Sequence, residues 1–325
     1  MVAMTKLTES YETAHRENLP GGTSTSVTNK TRNIGILVAM NLIWAGTYPA
    51  TSLALRGMTP EFLTMVRLGV GALAFLPFLR LTRGKLWDVK LGLLALGLGI
   101  VGFSIPVYLQ SLGLFLSTPA LAAISIALEP LVTMVIAAMW LQEVFGRGRK
   151  WALVMAVVGA WAVAGFPTLG HAGYAYGDLL LLVAIGCFAV YNVFSARLSQ
   201  VVGSSTATAA TLLGGFIGSV PIWLATGART PHTWIHGELW ALLYLSILAT
   251  ALAYFLWMFS VRRVPVSLVA LFLYLQPVLG VLLSVIITHT QLSFSFFVGA
   301  LLILGALFVG QERFGRIGEQ PLEKG

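Results

Sequence analysis

An apolar segment with a carboxylate at its centre runs from Ser117 to Lys150 and reads STPALAAISIALEPLVTMVIAAMWLQEVFGRGRK. It is long enough to cross a bilayer, yet it carries Glu129 and Pro130 in its middle. A carboxylate at the centre of a membrane helix costs about 2.5–3.5 kcal/mol on insertion scales, so Glu129 should face a protein interior or a water-filled cavity. Pro130 removes a backbone donor, and we therefore expect a helix break beside the carboxylate.

A weaker copy of this segment runs from Val264 to Thr290. In the copy, Leu275-Gln276-Pro277 takes the place of Leu128-Glu129-Pro130. We expect a second helix break at Pro277, with Gln276 in a setting like that of Glu129.

The composition is that of an integral membrane protein. Of 325 residues, 57% are hydrophobic and 10% are charged, against roughly 45–50% and 25% in soluble domains. The single cysteine, Cys187, provides neither a disulfide framework nor a cysteine metal site. The five histidines show no paired metal spacing on a helix, and the glycine-rich patterns lack the context of a phosphate loop. We expect no metal, no cofactor and no catalytic group.

A helix that crosses a bilayer core roughly 30 Å thick needs about 20 apolar residues. The sequence contains ten such spans, numbered 1 to 10 in chain order, and we predict an all-α membrane protein. Thr118 as N-cap and Pro119 in the first turn separate spans 3 and 4. The spans are 33–55, 60–81, 90–114, 118–142, 149–167, 176–197, 204–227, 237–260, 265–288 and 292–312.

The positive charges give the orientation. The net charge of +8 is a feature of many nucleic-acid-binding proteins, but cytoplasmic loops of membrane proteins also collect Lys and Arg. With the N-terminus inside, 17 of the 20 Lys and Arg residues fall on the cytoplasmic side. The sequence therefore predicts ten spans with both termini cytoplasmic, a multi-pass protein of the cell (inner) membrane, and no nucleic-acid partner.

The two halves of the chain align at an offset near 147 residues, which places Gln276 on Glu129. Each half holds five spans, an odd number, so the two copies enter the membrane from opposite sides. We expect a disordered cytosolic tail over 1–32, a first repeat over 33–167, a second repeat over 176–312 and a cytosolic tail over 313–325. Inverted repeats of this kind are typical of secondary transporters, with the substrate site at their interface.

The spans resemble the drug/metabolite transporter superfamily, and in particular the bacterial EamA-type permeases with two EamA domains. Leu42-Ile43-Trp44-Ala45-Gly46-Thr47 is similar to the family's first-helix signature, and Pro60 followed by Arg67 is similar to its second. The segment from Ser117 through Glu129-Pro130 to Glu143 is the strongest match. The second half departs from the pattern, with Gln276 in place of the acidic residue and His289-Thr290 where the family has Gly-Glu.

The resemblance implies a basket of ten helices in which spans 3, 4, 8 and 9 surround a central cavity and spans 1 and 6 or their neighbours gate it by rocking. It also implies movement of small organic metabolites, often amino acids and mostly outward. Family members carry amino acids, vitamins, nucleotide sugars and drugs, so the substrate stays open at this point.

Two charged residues lie within spans and are candidate substrate or coupling residues. Glu129 is expected either to bind a substrate amine or take up a proton, or to act as a structural carboxyl near the carbonyl freed by the proline. Arg67 is expected either to attract a carboxylate or to snorkel to the outer interface. Pairing of Arg67 with Glu61 is poor, because the two are six residues apart on one helix.

Further candidates are neutral. Trp44 and Tyr48 share a face of span 1 with Asn41, and we expect this face either to line the cavity or to pack on a neighbouring helix. Interhelical hydrogen bonds are the ordinary role of single polar groups in membrane helices, such as Gln110 and Asn192. Tyr108 and Tyr254 occupy nearly equivalent repeat positions and are stronger cavity candidates. The glycine pattern of spans 3 and 7 favours close helix packing, at Gly97-Leu-Gly99 and Gly214-Gly215.

Three functions are compatible with these features. The first is a secondary transporter, an exporter of amino acids or related compounds that works by alternating access, with a small-molecule substrate, protons and the lipid bilayer as partners. The second is a transporter of a vitamin, a nucleotide-like or toxic compound by facilitated diffusion or exchange. The third is a membrane sensor or scaffold, although the loops are too short for a signalling domain. An enzyme is not expected, because Glu129 has no catalytic neighbours in the pattern, and the sequence leaves the oligomeric state open.

Overall fold

The computed structural model describes residues 25–81, 89–116, 119–141, 146–163, 175–226, 236–288 and 293–311. Within these ranges all regular structure is helical, which confirms the all-α membrane fold. The predicted tail over 313–325 and the first 24 residues lie outside the described ranges. The helix of span 1 begins at Thr25, so residues 25–32 of the predicted disordered tail are helical. A helix satisfies its own backbone hydrogen bonds and can therefore extend from the membrane into water.

The five spans of the first repeat correspond to helices with short interruptions. Span 1 is interrupted only at Gly46, and the middle of span 3 is π-helical. The helices are Thr25–Ala45 and Thr47–Ala54 (span 1), Pro60–Leu81 (span 2), Val89–Gly99, Ile100–Ser104 (π) and Ile105–Leu116 (span 3), Pro119–Trp140 (span 4) and Arg147–Val163 (span 5).

The second repeat has the same order of elements, and the middle of span 8 is also π-helical. The two π-helical segments lie at equivalent repeat positions, because 100–104 shifted by 147 residues falls within Tyr244–Leu252. The helices are Ala175–Val202 (span 6), Ser204–Ala225 (span 7), His236–Leu243, Tyr244–Leu252 (π) and Ala253–Val261 (span 8), Val266–Phe272 and Leu275–Thr288 (span 9) and Phe294–Gln311 (span 10).

Seven of the described helical segments are long and apolar enough to cross a membrane. They correspond to spans 1, 2, 3, 6, 7, 8 and 9. Spans 4 and 10 contain the shorter apolar helices Leu128–Trp140 and Phe294–Gly310, and span 5 is the helix Arg147–Val163. The protein is therefore a multi-pass membrane protein.

The two prolines of the repeat behave differently. The prediction of a helix break at Pro130 is wrong, because helix Pro119–Trp140 continues through it. Membrane helices tolerate an internal proline when neighbouring groups satisfy the freed backbone atoms. Span 9 is interrupted by a turn at Leu273 and Tyr274. Pro277 lies in the first turn of the helix that follows, where its missing N–H costs little.

The contacts between helices are related by two-fold pseudosymmetry. The main contacts between two spans recur between their equivalents in the other repeat, where span 1 is equivalent to span 6, span 2 to span 7, and so on. Span 3 packs on span 6 as span 8 packs on span 1, and span 4 packs on span 6 as span 9 packs on span 1. Spans 2 and 7, 4 and 9, and 5 and 10 pack against their own equivalents. The architecture is thus two interlocked five-helix repeats.

Glycines allow the closest of these contacts, as the sequence predicts. A Cβ on Gly99 of span 3 would lie 2.9 Å from the backbone N of Gly215 in span 7. Large apolar side chains such as Leu73, Phe294 and Phe308 are exposed on the outside of the bundle, and the polar residues described next are enclosed between the repeats.

Candidate functional site

A cavity lies between the two repeats, at the middle of the bundle. Both repeats contribute to its lining, which comes from spans 1, 2, 3, 4, 6, 8 and 9. Spans 3, 4, 8 and 9, which the family resemblance places around the cavity, each contribute one side chain, and span 1 contributes three. The lining residues are Trp44, Thr47, Tyr48, Arg67, Gln110, Glu129, Phe188, Asn192, Tyr254 and Gln276.

Arg67 supplies the cation of the cavity. Its side chain is only 3% exposed, so it does not snorkel to the outer interface. Its Nε donates a 2.6 Å hydrogen bond to Oγ1 of Thr250, in the π-helical segment of span 8. Within the described ranges Arg67 makes no ion pair, and Glu61 is bonded elsewhere. The guanidinium is therefore fixed at one nitrogen, and its terminal amino groups remain for a ligand.

Glu129 supplies the carboxylate of the cavity. Its Oε1 accepts a 3.1 Å hydrogen bond from Nδ2 of Asn192 in span 6. The same Nδ2 donates to Oγ1 of Thr133, one helical turn after Glu129, at 3.2 Å. Asn192 and Thr133 are buried, whereas Glu129 is only partly buried. Glu129 is therefore oriented from the other repeat and keeps a face toward the cavity.

Gln276 occupies the equivalent position in the second repeat and lines the same cavity as Glu129. Its Nε2 donates to Oδ1 of Asn41 in span 1 at 3.3 Å. Asn41 is fully buried, and its Nδ2 donates to the carbonyl of Leu37 at 2.7 Å. Asn41 therefore lies behind the cavity lining and holds Gln276, rather than facing the cavity itself.

Aromatic rings form one wall of the cavity. The ring of Trp44 contacts that of Tyr254 edge-on at a centroid distance of 5.1 Å, and it lies 6.1 Å from Trp257. Its Nε1 donates to the carbonyl of Ala249 at 3.0 Å. Nε2 of Gln110 donates to the hydroxyl of Tyr48 at 2.8 Å. Span 1 thus contributes to the cavity on both sides of Gly46.

The two tyrosines of the lining interact with both charges. The hydroxyls of Tyr48 and Tyr254 are each within electrostatic range of both Arg67 and Glu129. Arg67 and Glu129 form no ion pair with each other. Thr47 adds a buried hydroxyl, whose oxygen has no hydrogen-bond partner among the described residues. The cavity therefore offers a cation, a carboxylate and uncommitted hydrogen-bonding groups around an aromatic wall.

Tyr108, like Asn41, is a candidate that is not among the residues lining the cavity. The hydroxyl of Tyr108 donates to Oε1 of Glu61 at 3.4 Å. Trp44, Tyr48, Arg67, Glu129, Tyr254 and Gln276 do line the cavity.

The sequence reasoning did not select Thr47, Gln110, Phe188 or Asn192 for the cavity. Gln110 and Asn192 do make the interhelical hydrogen bonds expected of them, but they also line the cavity. The positions of Gln110 and Asn192 along spans 3 and 6 could have indicated that they reach the cavity. Thr47 and Phe188, in contrast, cannot be distinguished from packing residues in the sequence.

Known proteins are similar to this chain over most of its length. The profile of the EamA-like transporter family matches twice, over residues 32–165 and 175–309. An uncharacterized transporter, YdfC, of Bacillus subtilis is 26% identical over 78% of this chain and 83% of its own length. A biotin transporter of Salmonella typhimurium is 27% identical over 85% of this chain and 92% of its own length.

A protein of known crystal structure has the same fold. It superposes with a TM-score of 0.72 at 22% sequence identity, over 89% of this chain and 99% of the other. The two family matches coincide with the two sets of five spans that the pseudosymmetry relates, and the cavity lies where these sets meet. The chain belongs to the EamA-like transporter family of the drug/metabolite transporter superfamily, and it is a multi-pass membrane transporter.

Proposed function

We propose that the protein is an exporter of amino acids or related zwitterions. The observation that carries this proposal is the presence in one cavity of the Glu129 carboxylate and of an Arg67 guanidinium that forms no ion pair with any described residue. Arg67 would bind the substrate carboxylate through its terminal amino groups. Glu129 would bind the substrate ammonium, and the wall of Trp44 and Tyr254 would contact an apolar side chain.

Transport would proceed by alternating access of the cavity to the two sides of the membrane. The two-fold packing supports this mechanism, because the repeats can rock against each other around a site that both of them line. Glu129 would take up a proton when no substrate ammonium is bound and release it when one binds. Substrate movement in one direction would therefore be coupled to proton movement in the other. The protein would act by binding and release alone, without chemical conversion of the substrate.

A ligand screen on the purified protein tests the proposal. Thermal unfolding is measured with free amino acids, with their N-acetyl derivatives and with their amides. A ligand at a hundred times its Kd stabilises a protein by about 2.7 kcal/mol. We expect stabilisation by one or more free amino acids, and its loss when either the amine or the carboxylate is blocked. Equal stabilisation by the N-acetyl derivative would exclude a role of Glu129 in binding an ammonium.

A second candidate substrate is a monocarboxylate of the vitamin class. It is favoured by the similarity to biotin transporters, which covers 85% of this chain, and by Arg67, which suits any carboxylate. In that case Glu129 would carry only a proton. Biotin in the same screen separates the two candidates, because a monocarboxylate should stabilise Glu129→Gln as well as the wild type, whereas a zwitterion should not.

A further inference from the structure

Two hydrogen bonds tie the repeats together beside the cavity, and they are equivalent under the two-fold pseudosymmetry. Asn192 of span 6 donates to Glu129 of span 4 at 3.1 Å. Gln276 of span 9 donates to Asn41 of span 1 at 3.3 Å. In each pair, an asparagine on the first span of one repeat contacts a residue on the fourth span of the other repeat. That residue, Glu129 or Gln276, directly precedes a proline.

The sequence positions agree with this equivalence. Glu129 and Gln276 are 147 residues apart, and Asn41 and Asn192 are 151 apart. The difference of four residues is about one helical turn, so both asparagines lie on the same face of equivalent helices. We name the two contacts the Glu129 link and the Gln276 link. They differ in chemistry, because only the Glu129 link contains a group that ionises.

In the Glu129 link, the amide of Asn192 makes a second contact on span 4. Both hydrogens of Asn192 Nδ2 are used, one on Glu129 and one on Thr133. The backbone carbonyl of Asn192 accepts from Ser195 Oγ at 3.2 Å, and Ser195 Oγ in turn accepts from Trp257 Nε1 of span 8 at 3.1 Å. The side chain of Asn192 cannot turn away from Glu129 without also losing its bond to Thr133.

We propose that Asn192 is the positioning residue through which the charge on Glu129 acts on the interface between the repeats, and that the Gln276 link is its charge-independent counterpart. An ionised carboxylate accepts a hydrogen bond about twice as strong as a neutral acceptor does. Uptake of a proton by Glu129 therefore weakens the bond from Asn192 and loosens span 4 from span 6. The Gln276 link keeps its strength, so the repeats pivot instead of separating.

Few other groups near Glu129 can respond to pH. Of the spans packed on span 4, spans 3, 6 and 9 present amides to the cavity, namely Gln110, Asn192 and Gln276. Span 5 carries Arg149, which donates to Ser267 of span 9 at 3.0 Å. The remaining titratable or charged groups of the lining are Tyr48, Arg67 and Tyr254. Glu129 is the one carboxyl group among these lining residues, whereas tyrosine and arginine ordinarily titrate near pH 10 and above.

The inference rests on the proposed function only in taking this cavity as the transport site, and it can be tested without a substrate. In a Cys187→Ser background, spin labels are attached to the cysteines of Arg56→Cys and Tyr176→Cys. These are exposed positions, one in each repeat. The distance distribution between the labels is measured by double electron–electron resonance in lipid nanodiscs at pH 5 and pH 8. Four proteins are compared: the labelled parent, Asn192→Ala, Glu129→Gln and Asn41→Ala.

We expect the ratio of two distance populations in the labelled parent to change about fivefold between pH 5 and pH 8. This is the change expected when the charge on Glu129 strengthens its hydrogen bond from Asn192. Asn41→Ala should keep this change, whereas Asn192→Ala and Glu129→Gln should lose it. Glu129→Gln retains an acceptor for Asn192, so its loss of pH response would not result from a broken link. The proposal is overturned by a parent that shows no change, by a change that persists in Asn192→Ala or Glu129→Gln, or by its loss in Asn41→Ala. Failure of the ligand screen would leave all of these outcomes measurable.

Discussion

At the scale of single residues, the proposed carboxylate-binding role makes the most specific geometric demand on the side chain of Arg67. Its Nε is held by Thr250, and a carboxylate would bind across the remaining nitrogens in a planar, two-point geometry. Lysine has the same charge but only one ammonium, and it cannot bond Thr250 and both carboxylate oxygens at once. The role of Arg67 therefore depends on shape as well as on charge.

Arg67→Lys should weaken binding of the stabilising ligand about tenfold, which corresponds to ~1.4 kcal/mol. The measurement is isothermal titration of the purified protein. Thr250→Val is the matched variant, since it removes only the bond that orients Nε, and it should weaken binding about two- to fivefold through the loss of ~0.5–1 kcal/mol. An affinity unchanged in Arg67→Lys would show that the guanidinium does not contact the ligand.

The sequence singled out the two charged members of the cavity because a charge is unusual in a membrane helix. A carboxylate or guanidinium in hydrocarbon is costly, so Glu129 and Arg67 had to face the interior. Thr47 and Phe188 carry no such cost in either location, and their place in the lining depends on how span 1 and span 6 are rotated. The hydroxyl of Tyr108 donates to Glu61, and Tyr108 is not among the lining residues, which its position in the sequence could not indicate.

At the scale of helices, close packing of spans 3 and 7 depends on particular glycines. Gly97 and Gly99 lie in one helix, Val89–Gly99. A Cβ on Gly99 would lie 2.8 Å from the backbone C of Thr211 and 2.9 Å from the backbone N of Gly215, whereas a Cβ on Gly97 would meet no atom within 4 Å. Two glycines of one sequence pattern therefore have different roles.

Gly99→Ala should destabilise the protein by about 1–3 kcal/mol, because backbone atoms of span 7 must move. Gly97→Ala should be neutral or stabilising by roughly 0.5–1 kcal/mol, since alanine favours a helix over glycine. Both are measured by thermal unfolding in detergent. If the two variants had the same stability, the close approach of spans 3 and 7 described here would be incorrect.

Most helix ends lie within a few residues of the predicted bounds, although the helix of span 1 begins at Thr25 instead of residue 33. The interruptions of the helices were not predictable. A proline in the sequence indicates a missing hydrogen bond at a known position, yet whether the helix bends there depends on its neighbours. Span 4 continues through Pro130, while span 9 is interrupted at Leu273 and Tyr274, before Pro277. The π-helical segments of spans 3 and 8 have no proline at their centre and no clear sequence signal.

At the scale of the whole molecule, the charge distribution fixes how the bundle lies in the membrane. Arg56 follows span 1 and is expected outside, whereas Arg262 follows span 8 and is expected in the cytoplasm. Both side chains are exposed. In a Cys187→Ser background, Arg56→Cys should react with a membrane-impermeant maleimide on intact cells. Arg262→Cys should react only after permeabilisation, and the reverse pattern would invert the topology.

The proposed transport site is the cavity between the repeats, which Arg67 and Glu129 both line. The most direct measurement is counterflow of a radiolabelled free amino acid, chosen as the one with the largest thermal shift, into proteoliposomes loaded with the same compound. We predict accumulation by the wild type and a loss of at least about tenfold in initial rate in Arg67→Gln and in Glu129→Gln, as expected when a charged contact worth ~1.4 kcal/mol or more is removed. Each variant must elute as a folded monodisperse protein. Accumulation at the wild-type rate by both folded variants would contradict this assignment of the transport site.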